Sequence, residues 1–149
     1  MHTAFTLRRA TDADAEAVAS LSRELGYPSD VAVVRSRIAA VSRSLADALI
    51  VAVGASGVPL GWLHAHTAQL IESGFRAEIL GLVVSPDARR AGIGRALVAE
   101  AERWAGSLGA EVVAVRSNVA REESHSFYPA LGYENTKTQR VYRKRLNPL

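Results

Sequence analysis

The sequence contains no cysteine, and this absence excludes several kinds of site at once. A chain without thiols forms no disulfide, offers no thiolate to a metal ion and has no cysteine nucleophile. The sequence also lacks any apolar run approaching the ~20 residues needed to cross a bilayer, and its first residues lack the charged and apolar segments of a secretory signal. We therefore expect a cytoplasmic protein without a membrane partner.

The sequence also lacks a large excess of charges of one sign. The 18 basic residues are nearly balanced by 15 acidic ones, which leaves a formal net charge of +3. An excess this small is normal for a solvated surface, so we expect no nucleic-acid partner. A length of 149 residues with 48% hydrophobic content is enough for one domain, spanning 1–149, with a single core.

The most informative segment lies between a predicted strand at residues 79–84 and a predicted helix that begins near Gly92. The first turn of a helix has unpaired N–H groups and the positive end of the dipole. Glycines let the backbone close around a phosphate, and adjacent arginines match phosphate geometry. The segment therefore predicts a diphosphate cradle. Its residues are Arg89, Arg90, Ala91, Gly92, Ile93, Gly94 and Arg95.

Three phosphate-binding motifs compete for this segment. A Walker A motif needs Lys-Ser/Thr after its second glycine, but Arg95 and Ala96 follow Gly94. A dinucleotide fingerprint needs a third glycine where Leu97 stands. Arg89, Gly92 and Gly94 satisfy the third pattern, Arg/Gln-x-x-Gly-x-Gly/Ala. In this the chain resembles the GCN5-related N-acetyltransferase (GNAT) superfamily, whose motif binds the pyrophosphate of acetyl-coenzyme A.

The surroundings of the motif strengthen the resemblance. Leu-Val-Val-Ser-Pro at residues 82–86 is similar to the end of the family's fourth strand. Phe-Tyr-Pro-Ala-Leu-Gly-Tyr at residues 127–133 resembles the family's Phe-Tyr-x-x-x-Gly-Phe/Tyr segment. The match is firm from about Glu78 to Tyr133, whereas residues 1–70 agree only in the order of their elements.

The predicted elements run strand, helix, helix, three strands, helix, strand, helix, strand. This order indicates an α/β or α+β protein with a mixed sheet. The resemblance implies a largely antiparallel central sheet, splayed between its fourth and fifth strands and flanked by about four helices. It also implies that the cofactor arm enters the gap between these two strands.

Local patterns predict finer details of these elements. Ser29 is the expected N-cap of a helix whose buried stripe ends at Leu45. The apolar run at residues 112–115 is typical of a strand buried on both faces. A last strand is expected around residues 139–144.

The activity that the resemblance implies is transfer of an acetyl group from acetyl-coenzyme A to a primary amine of a small molecule or protein. Without cysteine the usual covalent acyl-enzyme is excluded, so we expect direct attack by the amine. Two alternatives share the same residues: a non-catalytic coenzyme A-binding module, and transfer of a longer acyl group. The resemblance also allows a homodimer.

Two residues are candidates for catalysis. Tyr128 aligns with the family's tyrosine that protonates the departing thiolate, a role that suits a phenol of pKa about 10; it could instead cover the cofactor or fill the core. Glu78 is the candidate base, although many relatives have their acid where Leu80 and Gly81 stand here. Glu78 could instead be a solvated edge residue.

The remaining candidates are binding residues. The resemblance implies that the backbones of Leu82, Val83 and Val84 pair with the pantetheine amides, and that Asn118 contacts the cofactor arm, unless Asn118 only caps a strand. Tyr27 and His64 fall where the resemblance places the acceptor pocket, although Tyr27 could be only a turn aromatic packed on the surface and His64 only partly exposed. His64 and His66 form a His-x-His pair that can bind metal, but no third ligand is identifiable and the family needs no metal, so we expect none.

Overall fold

The computed structural model describes residues 4–117 and 122–147. Its chain divides into two compact units, the first ending at Arg116 and the second beginning at Ser117. The strands are β1 (Phe5–Arg9), β2 (Asp47–Gly54), β3 (Pro59–Leu70), β4 (Gly74–Val84) and β5 (Val113–Val115). The helices are α1 (Ala15–Glu24), α2 (Val31–Ser42), α3 (Ile93–Ser107) and α4 (Glu122–Ala130). Short 3₁₀ turns precede α1 and α3, at Asp12–Asp14 and Pro86–Ala88.

The five strands form one sheet in the order β1-β2-β3-β4-β5. The first three pairings are antiparallel and the β4–β5 pairing is parallel. This confirms the predicted fold class, a mixed and largely antiparallel sheet with four helices in the described part of the chain.

Helices cover both faces of the sheet. On one face α3 packs against β2, β3 and β4, and the fully buried Leu63, Ile93 and Leu97 belong to this layer. Gly61 lets the helix come close, because a Cβ there would lie 2.9 Å from the Val83 carbonyl oxygen and 3.2 Å from Cγ2 of Ile93. On the other face α1 and α2 pack over β2 in a second apolar cluster.

The sheet opens between β4 and β5. These strands pair only from Ala77 with Val113 to Ile79 with Val115. Beyond that point, no strand among the described residues pairs with the outer side of residues 80–84, which we call the β4 edge. A register shift opposite His64 and Ala65 leaves Leu80 as an extra, bulged residue at the same place. The splay thus starts where β4 is bent.

Two expectations about α2 are wrong. The N-cap is Asp30, whose carboxylate accepts the N–H of Ala32 at 2.7 Å, and not Ser29. An aspartate directly before the first helical residue is the better-placed acceptor for the first-turn amides. Leu45 lies beyond the helix end at Ser42 and is 93% exposed, so it does not belong to the buried stripe.

Two expectations about strands are also wrong. Residues 113–115 are half-buried and Val112 is exposed, because β5 is the last strand of the described sheet and has a neighbour on one side only. Residues 139–144 form no strand. An alternating sequence becomes a strand only with a hydrogen-bonded partner, and the described ladders contain none for this segment.

None of the helices among the described residues combines the length and apolar character that a membrane span requires.

Candidate active site

The first-turn amides of α3 are the centre of the phosphate cradle, which comprises residues 89–95. Ala96 donates to the Gly92 carbonyl at 3.0 Å, so the preceding amides have no acceptor within the helix. Gly92 is the N-cap, with φ of 83° in the left-handed region. A Cβ on Gly92 would meet nothing within 4 Å. The segment therefore presents N–H donors and a dipole end beside open space, as a diphosphate requires.

Arginines surround these amides. Arg89, Arg90 and Arg95 are exposed, and Arg90 has φ of 70°, which is rare for a residue with a side chain. Strained backbone of this kind is found mostly at ligand-binding segments. The buried side chain of Ile93 and the half-buried Ala91 attach the cradle to the body of the protein. The geometry fits a bound diphosphate.

The β4 edge leads directly into the cradle. Ser85 donates to the Leu60 carbonyl at 2.8 Å, so the backbone groups of Ser85 face β3. Since backbone direction alternates along a strand, those of Val83 also face β3, whereas those of Leu82 and Val84 point outward. Two of the three residues predicted to pair with pantetheine therefore offer backbone groups to the gap, and Val83 packs its side chain into the core with 5% exposure.

A polar cluster lies further back, where β4 and β5 separate. Asp47 pairs with His66 across β2 and β3, and Leu49 with His64, so the carboxylate and both imidazoles share the face covered by α1 and α2. The Oδ1 atom of Asp47 lies 2.8 Å from Nε2 of His64 and 3.2 Å from Nδ1 of His66. We call these three residues the Asp47 cluster.

The charge of Asp47 follows from its neighbours. Burial raises the pKa of the carboxyl, but hydrogen bonds from Ser44 and His64, together with the charges of His66 and His64, outweigh burial and hold the pKa of Asp47 below its ordinary value. An ionised carboxylate can only accept hydrogen bonds, so the ring nitrogens facing it carry protons. Asp47 thereby orients both imidazole rings.

Glu78 stands opposite His66 in the β3–β4 ladder. Its Oε1 atom lies 3.1 Å from Nε of Arg116, with 20% of the Glu78 side chain and 68% of the Arg116 side chain exposed. The candidate base is therefore a partly exposed carboxylate with an arginine partner. The structure places it beside the Asp47 cluster.

Trp62 closes the same face next to His64. A Cβ on Gly81 would lie 2.8 Å from two atoms of the Trp62 ring, so the indole occupies the space of the missing side chain. An acidic side chain at position 81 would collide with Trp62 here. Tyr27 lies at the end of α1, with its amide bonded to the Ser22 carbonyl at 3.2 Å and its side chain 63% exposed.

Tyr128 belongs to the second unit. Its ring packs edge-on against Phe127 at 4.9 Å and Tyr133 at 5.8 Å. The Tyr128 carbonyl accepts the amide of Tyr133 at 3.1 Å, and Pro129 that of Gly132 at 3.0 Å, with Gly132 at φ of 93°. This is a Schellman cap, so the Phe-Tyr-x-x-x-Gly-Tyr segment is a helix end that holds Tyr128 between two aromatic rings. Asn118 lies outside the described residues.

Sequence reasoning missed Asp47 and Arg116. Asp47 is the first residue of β2 and Arg116 directly follows β5, positions where single polar residues are common. The strand pattern alone gave no sufficient signal, because the register between β2 and β3 shifts by one residue between Ala52 and Val53, and only this shift puts Asp47 opposite His66. Among the described residues, no group of three or more histidine, aspartate or glutamate side chains is arranged so that it could hold a metal ion.

Comparison with known proteins decides the family. The model of the acetyltransferase (GNAT) family matches residues 16–133. The chain belongs to this family. The predicted relationship is thus confirmed over a much longer stretch than the motif region from which it was inferred.

Individual GNAT relatives agree with this assignment. An aminoglycoside N(6')-acetyltransferase type 1 of Stenotrophomonas maltophilia is 29% identical over 96% of this chain and 95% of that protein. One of the same name from Klebsiella aerogenes is 34% identical over 66% of this chain and 67% of its own. The solved aminoglycoside N-acetyltransferase AAC(6')-Iy, in complex with CoA, shares the fold with a TM-score of 0.86 at 21% identity, covering 98% of both chains.

Family membership gives the chain its general activity. As a GNAT protein it is an acetyl-coenzyme A-dependent N-acetyltransferase that acetylates an amine. The predicted enzyme class and cofactor are confirmed at this level.

Proposed function

We propose that this GNAT enzyme acetylates a primary amine of a small molecule, with aminoglycoside amines as the first acceptors to test. The observation that carries the proposal is the phosphate cradle at the end of an outward-facing β4 edge. The relatives from Stenotrophomonas maltophilia and Klebsiella aerogenes are both named as aminoglycoside N(6')-acetyltransferases, and the first matches nearly the whole chain. A small-molecule amine is therefore favoured over a protein amine.

The proposed cofactor site runs along β4. Amides of residues 90–95 and the guanidinium groups of Arg89, Arg90 and Arg95 hold the diphosphate. The outward backbone groups of Leu82 and Val84 pair with the pantetheine amides, and Asn118 stays a predicted contact of the cofactor arm. From Val84 back to Glu78 the strand spans about 20 Å, a length suited to an extended arm that ends beside the Asp47 cluster.

The chemical step needs few groups. Tyr128 is proposed to protonate the departing thiolate, and Glu78 is the base predicted from the sequence. Because the chain has no cysteine, the amine attacks the thioester carbon directly, and much of the rate comes from holding the two reactants together. Tyr27 and His64 are the proposed acceptor contacts.

Some expectations stay predictions. These are the single domain over residues 1–149, a cytoplasmic location, a homodimer, and the lack of nucleic-acid, membrane and metal partners.

Titration calorimetry with coenzyme A, followed by an acceptor screen that detects released thiol, tests the proposal. The screen covers aminoglycosides, polyamines, amino acids and peptide N-termini, each with and without acetyl-coenzyme A. Micromolar coenzyme A binding and turnover of an aminoglycoside support the proposal. Turnover confined to peptides would refute the small-molecule acceptor, and loss of all binding would refute the cofactor site.

A further inference from the structure

The Asp47 carboxylate determines which ring nitrogens of His64 and His66 can accept a proton. It faces Nε2 of His64 and Nδ1 of His66. Because the ionised carboxylate only accepts hydrogen bonds, the neutral form of each ring carries its proton on the nitrogen that faces Asp47. The lone pair of His64 is therefore on Nδ1, and that of His66 is on Nε2.

His64 is the imidazole at the head of the gap between β4 and β5. It pairs with Gly81, directly after the bulged Leu80 and just beyond the last β4–β5 pair, Ile79 with Val115. His66 pairs with Glu78, before the strands separate. His64 is 24% exposed, so solvent or a substrate reaches part of the ring, while Asp47 is only 14% exposed and holds it from behind.

Few other charged groups face His64. Glu78 and Arg76 lie on β4 and Arg116 follows β5, and Glu78 already pairs with Arg116. The α1 and α2 residues of the buried cluster on this face, including Val18, Val34 and Ile38, are apolar. An imidazole oriented by a largely buried carboxylate is an arrangement that general-base catalysis uses.

We propose that His64, positioned by Asp47, takes the proton of the acceptor amine in place of Glu78. The inference rests on the proposed function. The ammonium gives one proton to Nδ1 of His64, and the amine nitrogen then bonds to the thioester carbon as the carbon–sulfur bond breaks. The sulfur keeps the electron pair and takes the proton of the Tyr128 hydroxyl, which the second nitrogen proton replaces. The imidazolium returns its proton to solvent.

Two variants separate proton transfer from structure. His64→Gln keeps an N–H near the position of Nε2, and so keeps the bond to Asp47, but has no basic nitrogen. His66→Asn keeps an N–H near the position of Nδ1 of His66, and so keeps that bond to Asp47, but has no basic nitrogen. This variant serves as the matched control. We expect the glutamine variant to lose about 10²- to 10⁴-fold in kcat at neutral pH, with unchanged coenzyme A affinity and thermal midpoint. The control keeps the wild-type pH profile.

The pH dependence identifies the base. In the wild type kcat/KM should fall at acidic pH as the catalytic base is lost, and His64→Gln should remove this limb. Asp47→Asn should lower kcat, and combining it with His64→Gln should cost little more than His64→Gln alone, because both act on one proton transfer. If Glu78→Gln removes the limb while His64→Gln keeps it, or if His66→Asn removes it, the assignment to His64 is overturned.

A measurement without substrate keeps the inference separate from the activity. Long-range ¹H–¹⁵N spectra of the imidazole rings in the free protein should show His64 as the Nε2–H tautomer and His66 as the Nδ1–H tautomer. A proton on Nδ1 of neutral His64 would overturn the proposal even if the enzyme is active. If both rings show the expected tautomers but no amine is acetylated, the proposed function is wrong and the assignment of the ring protons is not.

Discussion

Gly92 combines a left-handed backbone with open space where a side chain would be. We expect Gly92→Asp to weaken coenzyme A binding by about 100-fold or more, equivalent to about 2.7 kcal/mol, because a carboxylate would stand beside the diphosphate. Gly92→Asn is the matched control, since asparagine has nearly the same size and tolerates this backbone. Calorimetry should show a much smaller loss for asparagine. Equal losses would indicate strain or sterics, and no loss would move the diphosphate elsewhere.

Tyr128 gives a second test at the scale of one residue. Tyr128→Phe should keep both aromatic contacts and remove only the hydroxyl, so we expect kcat to fall by about 10²-fold with little change in coenzyme A affinity. Tyr133→Phe, the edge-on neighbour of Tyr128, is the control and should keep its rate. Steady-state kinetics across pH check this. An unchanged rate for Tyr128→Phe at every pH would exclude the acid role.

At the scale of single residues, some features of the site could be predicted from the sequence and others could not. The phosphate cradle could be predicted because its amides, glycines and arginines are adjacent in the chain. The contact of Asp47 with His64 joins residues 17 positions apart and depends on the register between β2 and β3. The partner of Glu78 likewise comes from another element, after β5. A sequence motif therefore predicts neither the contact of Asp47 with His64 nor the partner of Glu78.

At the scale of elements, two glycines test how closely α3 packs on the sheet. A Cβ at Gly61 would collide with the fixed Val83 carbonyl, so Gly61→Ala should destabilise the protein by about 1–3 kcal/mol. A Cβ at Gly106, within α3, would have nothing within 4 Å, and Gly106→Ala should stabilise the protein by about 0.5 kcal/mol. Urea unfolding measures both. A Gly61→Ala variant as stable as the wild type, or more stable, would contradict the close packing of α3 at Gly61.

The elements themselves were largely predictable. Helices α1 and α3 end just before Gly26 and Gly109 as the pattern indicates, and β1 to β4 coincide with alternating or apolar runs. The two wrong strand predictions concern segments whose structure depends on a neighbouring strand. The exposure of residues 112–115 depends on whether a strand lies beyond β5, and the expected strand at residues 139–144 needed a partner that the described sheet does not supply. Local sequence contains no information on either.

For the molecule as a whole, Asp14 links stability to pH. Its carboxylate, 4% exposed by residue, accepts both Arg8 guanidinium nitrogens at 2.8 and 2.9 Å and the Thr11 amide at 2.8 Å. The hydrogen bonds from Arg8 outweigh burial and hold the pKa of Asp14 below its ordinary value. This contribution is complete above the unfolded pKa of about 3.9 and is lost as pH falls through the lower folded pKa.

Asp14→Asn should therefore destabilise the protein by about 1–3 kcal/mol at pH 7, and the difference from wild type should shrink below about pH 3. Asp12→Asn, at an exposed position two residues away, should change stability by less than about 0.5 kcal/mol. Urea unfolding at both pH values checks this. A difference that persists unchanged in acid would show that Asp14 acts through packing and not through its charge.

The position of Trp62 makes its indole fluorescence a probe of the site. It is one of two tryptophans in the chain; the other, Trp104, lies in α3. The indole N–H of Trp62 is buried and has no hydrogen-bond acceptor among the described residues, while its ring lies against Gly81 at the head of the gap. With Trp104 replaced by phenylalanine, all indole fluorescence comes from this one position. The enzyme thus contains an intrinsic optical reporter for what arrives beside the Asp47 cluster.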